Sequence, residues 1–214
     1  PSLLPMSGRR LAHASVPGLA SLLAGQAGLA RRSQLRALGV TRKHVEAQIA
    51  AGRWMLVAPE VVSVDNGRLD QEQLTWRAVL HSPHGWLDGR SALNHIGLTG
   101  YPPPTIHVLC GRTARPSRLD GATYHVSDRL PGPRELSTGL PIVSAARAVV
   151  DAAAWERWPR AASGLTIAAV QQRIVTVTEV SAELALAGRV RHRAVVRDAL
   201  LEASGGAESV AEVD

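Results

Sequence analysis

The chain contains no phenylalanine, two tyrosines and a single cysteine, Cys110. Aromatic residues make up only 3 % of it, so leucine, isoleucine, valine, alanine and the five tryptophans must fill any core. One cysteine excludes an internal disulfide and fits a reducing cytoplasm. No apolar run approaches the roughly 20 residues that a membrane helix needs. The opening PSLLPMSGRR carries an arginine pair but not the ordered layout of a signal peptide, and residues 1–16 read as a flexible leader. Lysine is nearly missing: Lys43 is the only one, and every other fixed positive charge is arginine. No glycine-rich phosphate loop is present either.

What is there is basic and apolar. The 214 residues are 45 % hydrophobic, with a formal net charge of +6. That length suits one large domain or two to three small ones, and the charge predicts an anionic partner, nucleic acid first.

The stretch RSQLRALGVTRKHVEAQIAAGRW, residues 32–54, organises the reading. Leu35 and Leu38 share one face of a first short helix, and Val45 and Ile49 share one face of a second. Gly39 suits a left-handed helix end, and Thr41 can cap the following helix. Two short helices at a tight turn, with a third behind them, outline a helix-turn-helix. The basic residues here are Arg31, Arg32, Arg36, Arg42, Lys43 and Arg53, against the single acid Glu46. With Val45 and Ile49 turned inward, Lys43, Ala47 and Ala50 point outward, flanked by Arg42, His44 and Glu46. Small residues bordered by long polar ones suit close approach to a groove floor, with charges reaching phosphates or base edges. Thr41, Arg42, Lys43, His44, Glu46 and Ala47 are therefore the expected groove-facing set on a recognition helix over 41–51. Arg31, Arg32, Arg36 and Arg53 are the expected phosphate clamps.

Around this hairpin the pattern predicts an α+β chain. Residues 17–27 form a first helix with Leu19, Leu22 and Leu23 in one stripe. WMLVAPEVVSV predicts a two-stranded hairpin, 54–57 and 61–64. Residues 17–66 are thus an N-terminal winged helix-turn-helix, closed by the turn Asp65-Asn66-Gly67. Residues 67–158 predict a mixed α/β domain. A helix over 70–82 is capped by Asp70 with Gln73 returning the bond. A short strand follows near Trp86–Asp88, then a helix near 91–97, strands in TIHVLCG, ATYHVS and GLPIV, and a helix in SAARAVVDAAAW capped by Ser144. Residues 159–204 predict a helical C-terminal region in three segments. Gly205 and Gly206 predict a flexible break, so 205–214 reads as a linker and the first turn of a further domain.

The order of a winged helix ending GRWMLVAPEVVSV, a helix, the segment DGRSALNHIGL, a strand pair and LPIVSAARAVVDAA resembles the AbiEi-type antitoxin-like proteins of actinobacteria. The resemblance runs from about residue 20 to 214. It implies a cytoplasmic transcription regulator of a toxin-antitoxin system. Its winged helix would bind promoter double-stranded DNA, and its second domain would counteract a nucleotidyltransferase toxin. Glu60 stands where the family commonly has glycine after the wing proline, and Val62 and Ser63 where tyrosine and arginine are frequent. Both changes imply a smaller part for the wing in DNA contact. A second branch of the family continues into a domain similar to very-short-patch repair endonucleases, whose opening GGAESVAEVD resembles, with Glu212 on its first helix. The further carboxylates and the lysine that such a nuclease needs do not follow before Asp214, so no cutting activity is expected. Two alternatives stand beside the regulator. The chain could be the targeting half of such an endonuclease, or a module that binds a cognate toxin.

No catalytic residue, cofactor or metal site is expected. His81 and His84, and His107 and Cys110, stand three apart. On a strand, however, that spacing points to opposite faces, and Pro83 separates His84 from the helix that carries His81. The loop with Arg112, Arg115 and Arg118 is basic and solvated, or in reach of phosphate. Asp151 and Glu156 read as surface or pairing charges, and Trp155 and Trp158 as core or interface anchors.

Overall fold

The structure is a computed structural model that describes residues 16–114, 116–131 and 139–211. The leader before Val16, Arg115, Glu212 and Asp214 lie outside the described residues. The chain is α+β, and it divides into two compact units, one reaching to His84 and the other taking up the chain at Gly85.

The first unit runs α1 (Leu19–Gly25), β1 (Leu29–Arg31), α2 (Arg32–Ala37), α3 (Arg42–Ala50), β2 (Met55–Ala58), β3 (Val61–Ser63) and α4 (Gln71–His81). Thr41 caps α3 through its hydroxyl, which accepts from the His44 N–H at 3.2 Å. The turn before it needs Gly39, whose φ of +83° is costly for a residue with a Cβ. Leu19, Leu23, Leu35, Val45, Trp54 and Val62 close the core of the three helices over the sheet. Tryptophan here fills the volume that phenylalanine supplies elsewhere.

The wing has three strands. The antiparallel order is β1-β3-β2, with Leu29 opposite Ser63 and Arg31 opposite Val61. β1 is too short to show alternation and was not expected. It forms because the outer edge of β3 needs a partner, and a lone hairpin is marginal in water.

α4 belongs to this unit as well. It packs on all three strands. Gln73 closes the capping box on Asp70 and also donates from Nε2 to the Ala27 carbonyl at 3.1 Å. The boundary expected after residue 66 therefore falls inside the first unit.

The second unit holds β4 (Trp86–Leu87), α5 (Gly89–Ile96), β5 (Ile106–Cys110), β6 (Ala122–Val126), α6 (Ala145–Trp155), α7 (Pro159–Gln171), α8 (Val177–Leu186) and α9 (Arg193–Ala211). β4 and β5 are antiparallel, β5 and β6 parallel. The strand expected in GLPIV is only an isolated bridge, Leu87 to Ile142, held by Leu87 N–H to the Pro141 carbonyl (2.7 Å) and Val143 N–H to the Leu87 carbonyl (3.1 Å). Pro141, next to the bridge, and Gly139 before it keep it from extending. α6 lies at the centre, packed on α5, α7 and α8, and α9 packs on α7. α9 runs through Gly205 and Gly206, so the expected break is absent and the helical region is continuous with the α/β part in one unit. No helix among the described residues is long and apolar enough to cross a membrane.

Candidate nucleic-acid interface

α3 buries Val45 and Gln48, half-buries Ile49, and leaves Arg42, Lys43, His44, Glu46, Ala47 and Ala50 exposed. The outward set is the one expected from the helical period. The inward set contains one surprise, since Gln48 is polar yet buried. Its side chain is an anchor: Oε1 accepts from Arg53 Nε at 2.6 Å, and Nε2 lies 3.3 Å from His44 Nε2. His44 also meets the buried Trp54 edge to face, with ring centroids 5.9 Å apart. Gln48 and Trp54 thus fix the direction of His44 and Arg53. Trp54 pairs the end of α3 to the start of the wing, which is why a residue following a helix end can orient one on the helix.

Arg42 and Glu46 form an ion pair one turn apart, Nε to Oε1 at 2.6 Å, with side chains 80 % and 50 % exposed. The hydrogen bond from Arg42 holds Glu46 below the usual carboxylate range. Arg42 and Glu46 border the small outward face on one side, and His44 borders it on the other.

The four expected clamps separate. Arg32 is half-buried at the start of α2, where its N–H donates to the Glu60 carbonyl at 2.8 Å, and its charge adds to the pull on Glu46. Arg36 is exposed in the last turn of α2, and Arg53 is exposed but bound to Gln48. Arg31 departs from expectation. Its Nη1 donates to the carbonyls of Leu80 (2.6 Å) and His81 (3.0 Å), the last carbonyls of α4. A guanidinium is drawn there because a helix end leaves unpaired carbonyls at its negative pole. In this fold Arg31 is a structural pin between β1 and the end of α4. Glu60, at the tip of the wing, is exposed with a φ of +64°.

No family model matches this chain, and no curated protein matches it. The geometry therefore carries the functional argument.

The second unit holds a further set of polar groups, several of them buried. Asp151 is buried, not a surface charge: it pairs with Arg147 one turn away, and its carboxylate acts on Asp88. Asp88 is fully buried at the N-cap of α5, with Oδ1 accepting from the Gly89 N–H at 2.5 Å. Glu183 of α8 takes Arg129 at 2.5 Å and lies 3.9 Å from Arg147. His107 and His125 are coplanar, with Nδ1 and Nε2 2.9 Å apart, and Trp155 stacks on both. Burial lowers each imidazole to about 4, so both are neutral near pH 7. Among the described residues no group of three or more histidines, cysteines and acids is placed to hold a metal ion. Arg112, in the basic loop, is bound by Asp128 through two hydrogen bonds, and Arg118 lies 3.9 Å from Asp120. Those pairs offset the charge that the loop was expected to offer to phosphate. Glu156 pairs with Arg90 at 3.4 Å, and Trp158 is exposed.

Proposed function

We propose that the chain is a DNA-binding transcriptional regulator of antitoxin type that lays α3 in the major groove of duplex DNA. Arg42, Lys43, His44, Glu46 and Ala47 face the bases, with Thr41 capping the helix end that enters first. Arg32, Arg36 and Arg53 neutralise phosphates. The observation that carries this reading is the exposed face of α3: Lys43, Ala47 and Ala50 stand in solvent while Val45 and Gln48 hold the helix from beneath. Small outward residues edged by long charged ones let a helix approach a duplex closely while side chains reach phosphates and base edges. Such a regulator works in the cytoplasm. Exposed Trp158, Leu186 and Leu201 on the second unit favour a further role for that unit, docking a protein partner such as a toxin.

The test is duplex binding against salt. Phosphate neutralisation makes log affinity fall with log salt by about 0.9 per contact. Arg42→Ala with Lys43→Ala should weaken binding through lost base contacts, while Arg36→Ala should flatten that slope by about one unit for the lost phosphate contact. Gel-shift titrations that are unchanged by the double substitution overturn this reading.

A further inference from the structure

We infer that Arg42 and Glu46 act as one unit that reads a single G·C base pair in the major groove, with Glu46 rejecting A·T at that step. The inference rests on the proposed duplex binding by α3.

The pair is joined by one hydrogen bond, Nε of Arg42 to Oε1 of Glu46. Among the described residues the terminal Nη1 and Nη2 of Arg42 and the Oε2 of Glu46 make no hydrogen bond, and both side chains face solvent. The unit therefore presents two donors followed by an acceptor, in a fixed order along the helix border. The major-groove edge of a G·C pair presents guanine N7 and O6 as acceptors, then the cytosine N4 amino donor. The two arrays are complementary. Because the order on α3 is fixed, the match also selects which strand carries the guanine. Against an A·T pair, an Nη donor meets the adenine N6 amino group, and the Glu46 carboxylate meets the thymine O4 and methyl group. Like faces like at both points.

Two further features support the reading. Ala47 and Ala50 are exposed and short, so the helix backbone can come near the groove floor, where the pair reaches base edges. A lone acid on a basic face also weakens binding to phosphate at every site alike. Glu46 lowers affinity for random duplex, and the matched cytosine amino group restores it at one position, which increases the ratio of specific to non-specific binding.

The experiment is selection from a random duplex library with the whole chain, run in parallel for the wild type, Glu46→Ala and Glu46→Gln. Both substitutions are at an exposed position, and circular dichroism confirms the fold. The wild type should enrich a motif with one G·C pair that discriminates against A·T by about 5- to 150-fold. Glu46→Ala should keep the other positions of the motif, lose discrimination there to within about twofold, and bind unselected duplex more tightly. Glu46→Gln should shift that position toward adenine, which glutamine reads with its amide. A motif identical in all three overturns this inference while leaving duplex binding in place. Failure of the wild type to enrich any sequence overturns the proposed function and this inference together.

Discussion

Asp88 is buried within the electrostatic reach of the carboxylate of Asp151 inside the second unit, and Asp151 in turn holds the guanidinium of Arg147. Two buried acids and one cation at that point leave a charge to be neutralised, and a proton does it. Burial first, and the Asp151 charge second, push Asp88 well above the usual carboxylate range, against the opposing pull of the Gly89 N–H. Its Oδ2 is buried without a hydrogen-bond partner, a place that costs a neutral carboxyl less than a charged one.

The pH dependence follows from that proton. Between the unfolded value, about 3.9, and the raised folded value, the folded chain holds a proton that the unfolded chain has lost. The contribution of Asp88 is therefore full below the unfolded value and falls as pH rises toward the folded one. Asp88→Asn replaces the proton with an amide that donates to Asp151 at any pH. The variant should unfold at a higher temperature than the wild type at pH 8 and converge with it near pH 4, as followed by circular dichroism. Asp151→Asn should instead lower the unfolding temperature, since it removes the carboxylate bound to the buried Arg147 and leaves it only Glu183 at 3.9 Å, a loss of up to about 3–5 kcal/mol.

The paired imidazoles act in the opposite direction. His107 and His125 both titrate at about 4 in the fold, lowered mainly by burial, with Arg90 adding to the effect on His107 and His107 to that on His125. The unfolded imidazoles take up protons near 6.5. Their contribution is thus present above about 6.5 and is lost as pH falls through about 4. In the wild type this slope runs against that of Asp88, and the sum is flattened where the two overlap. Asp88→Asn should uncover it as a steep loss of stability on acidification. Adding His125→Phe, which keeps a ring against Trp155, should reduce the slope again. Imidazole resonances followed by NMR titration read the two values directly.

Gly89 is tied to the same stack. Its φ is +55°, and a Cβ there would lie 2.5 Å from a ring carbon of Trp155. Gly89→Ala adds the strain of a left-handed residue, about 1 kcal/mol or more, to an overpacked contact of about 1–3 kcal/mol. The expected loss is about 2–4 kcal/mol by urea denaturation. Trp155→Leu in the same chain should make the two losses less than additive, because the clash is with that ring.

These groups were hard to see in the sequence for a physical reason. Caps are local, so Thr41, Asp70 with Gln73, and Ser144 were legible from neighbours three residues away, and each is in place. The helical period likewise exposed the outward face of α3. Asp151 sits one turn after Arg147 and reads like any solvated helix pair, until Asp88 arrives from a distant part of the chain to bury it. β1 is legible only once β3 is known to need an edge partner. The burial of Gln48, a polar residue, depends on Arg53 and Trp54 turning back against it. In each case the deciding partner lies outside the window over which a periodic pattern acts.

Arg31 separates a structural arginine from those proposed to contact DNA most sharply, because adjacent Arg31 and Arg32 are indistinguishable in the sequence. Arg31 holds the last carbonyls of α4 across a separation of 49 residues. Its two charge-assisted bonds join the sheet to the helix that covers it. Arg31→Met keeps much of the stem and removes both bonds, at a cost of about 1.5–3 kcal/mol for a charged hydrogen-bond donor. The variant should melt earlier, and its protection of α4 amides against hydrogen exchange should fall first. Its salt slope for duplex binding, measured well below the melting temperature, should match the wild type, since no phosphate contact is lost. Arg36→Met should do the opposite, leaving the melting temperature in place and flattening the slope. A flattened slope in Arg31→Met would mean that the guanidinium leaves α4 when DNA binds, and that the pin is a contact of the free protein alone.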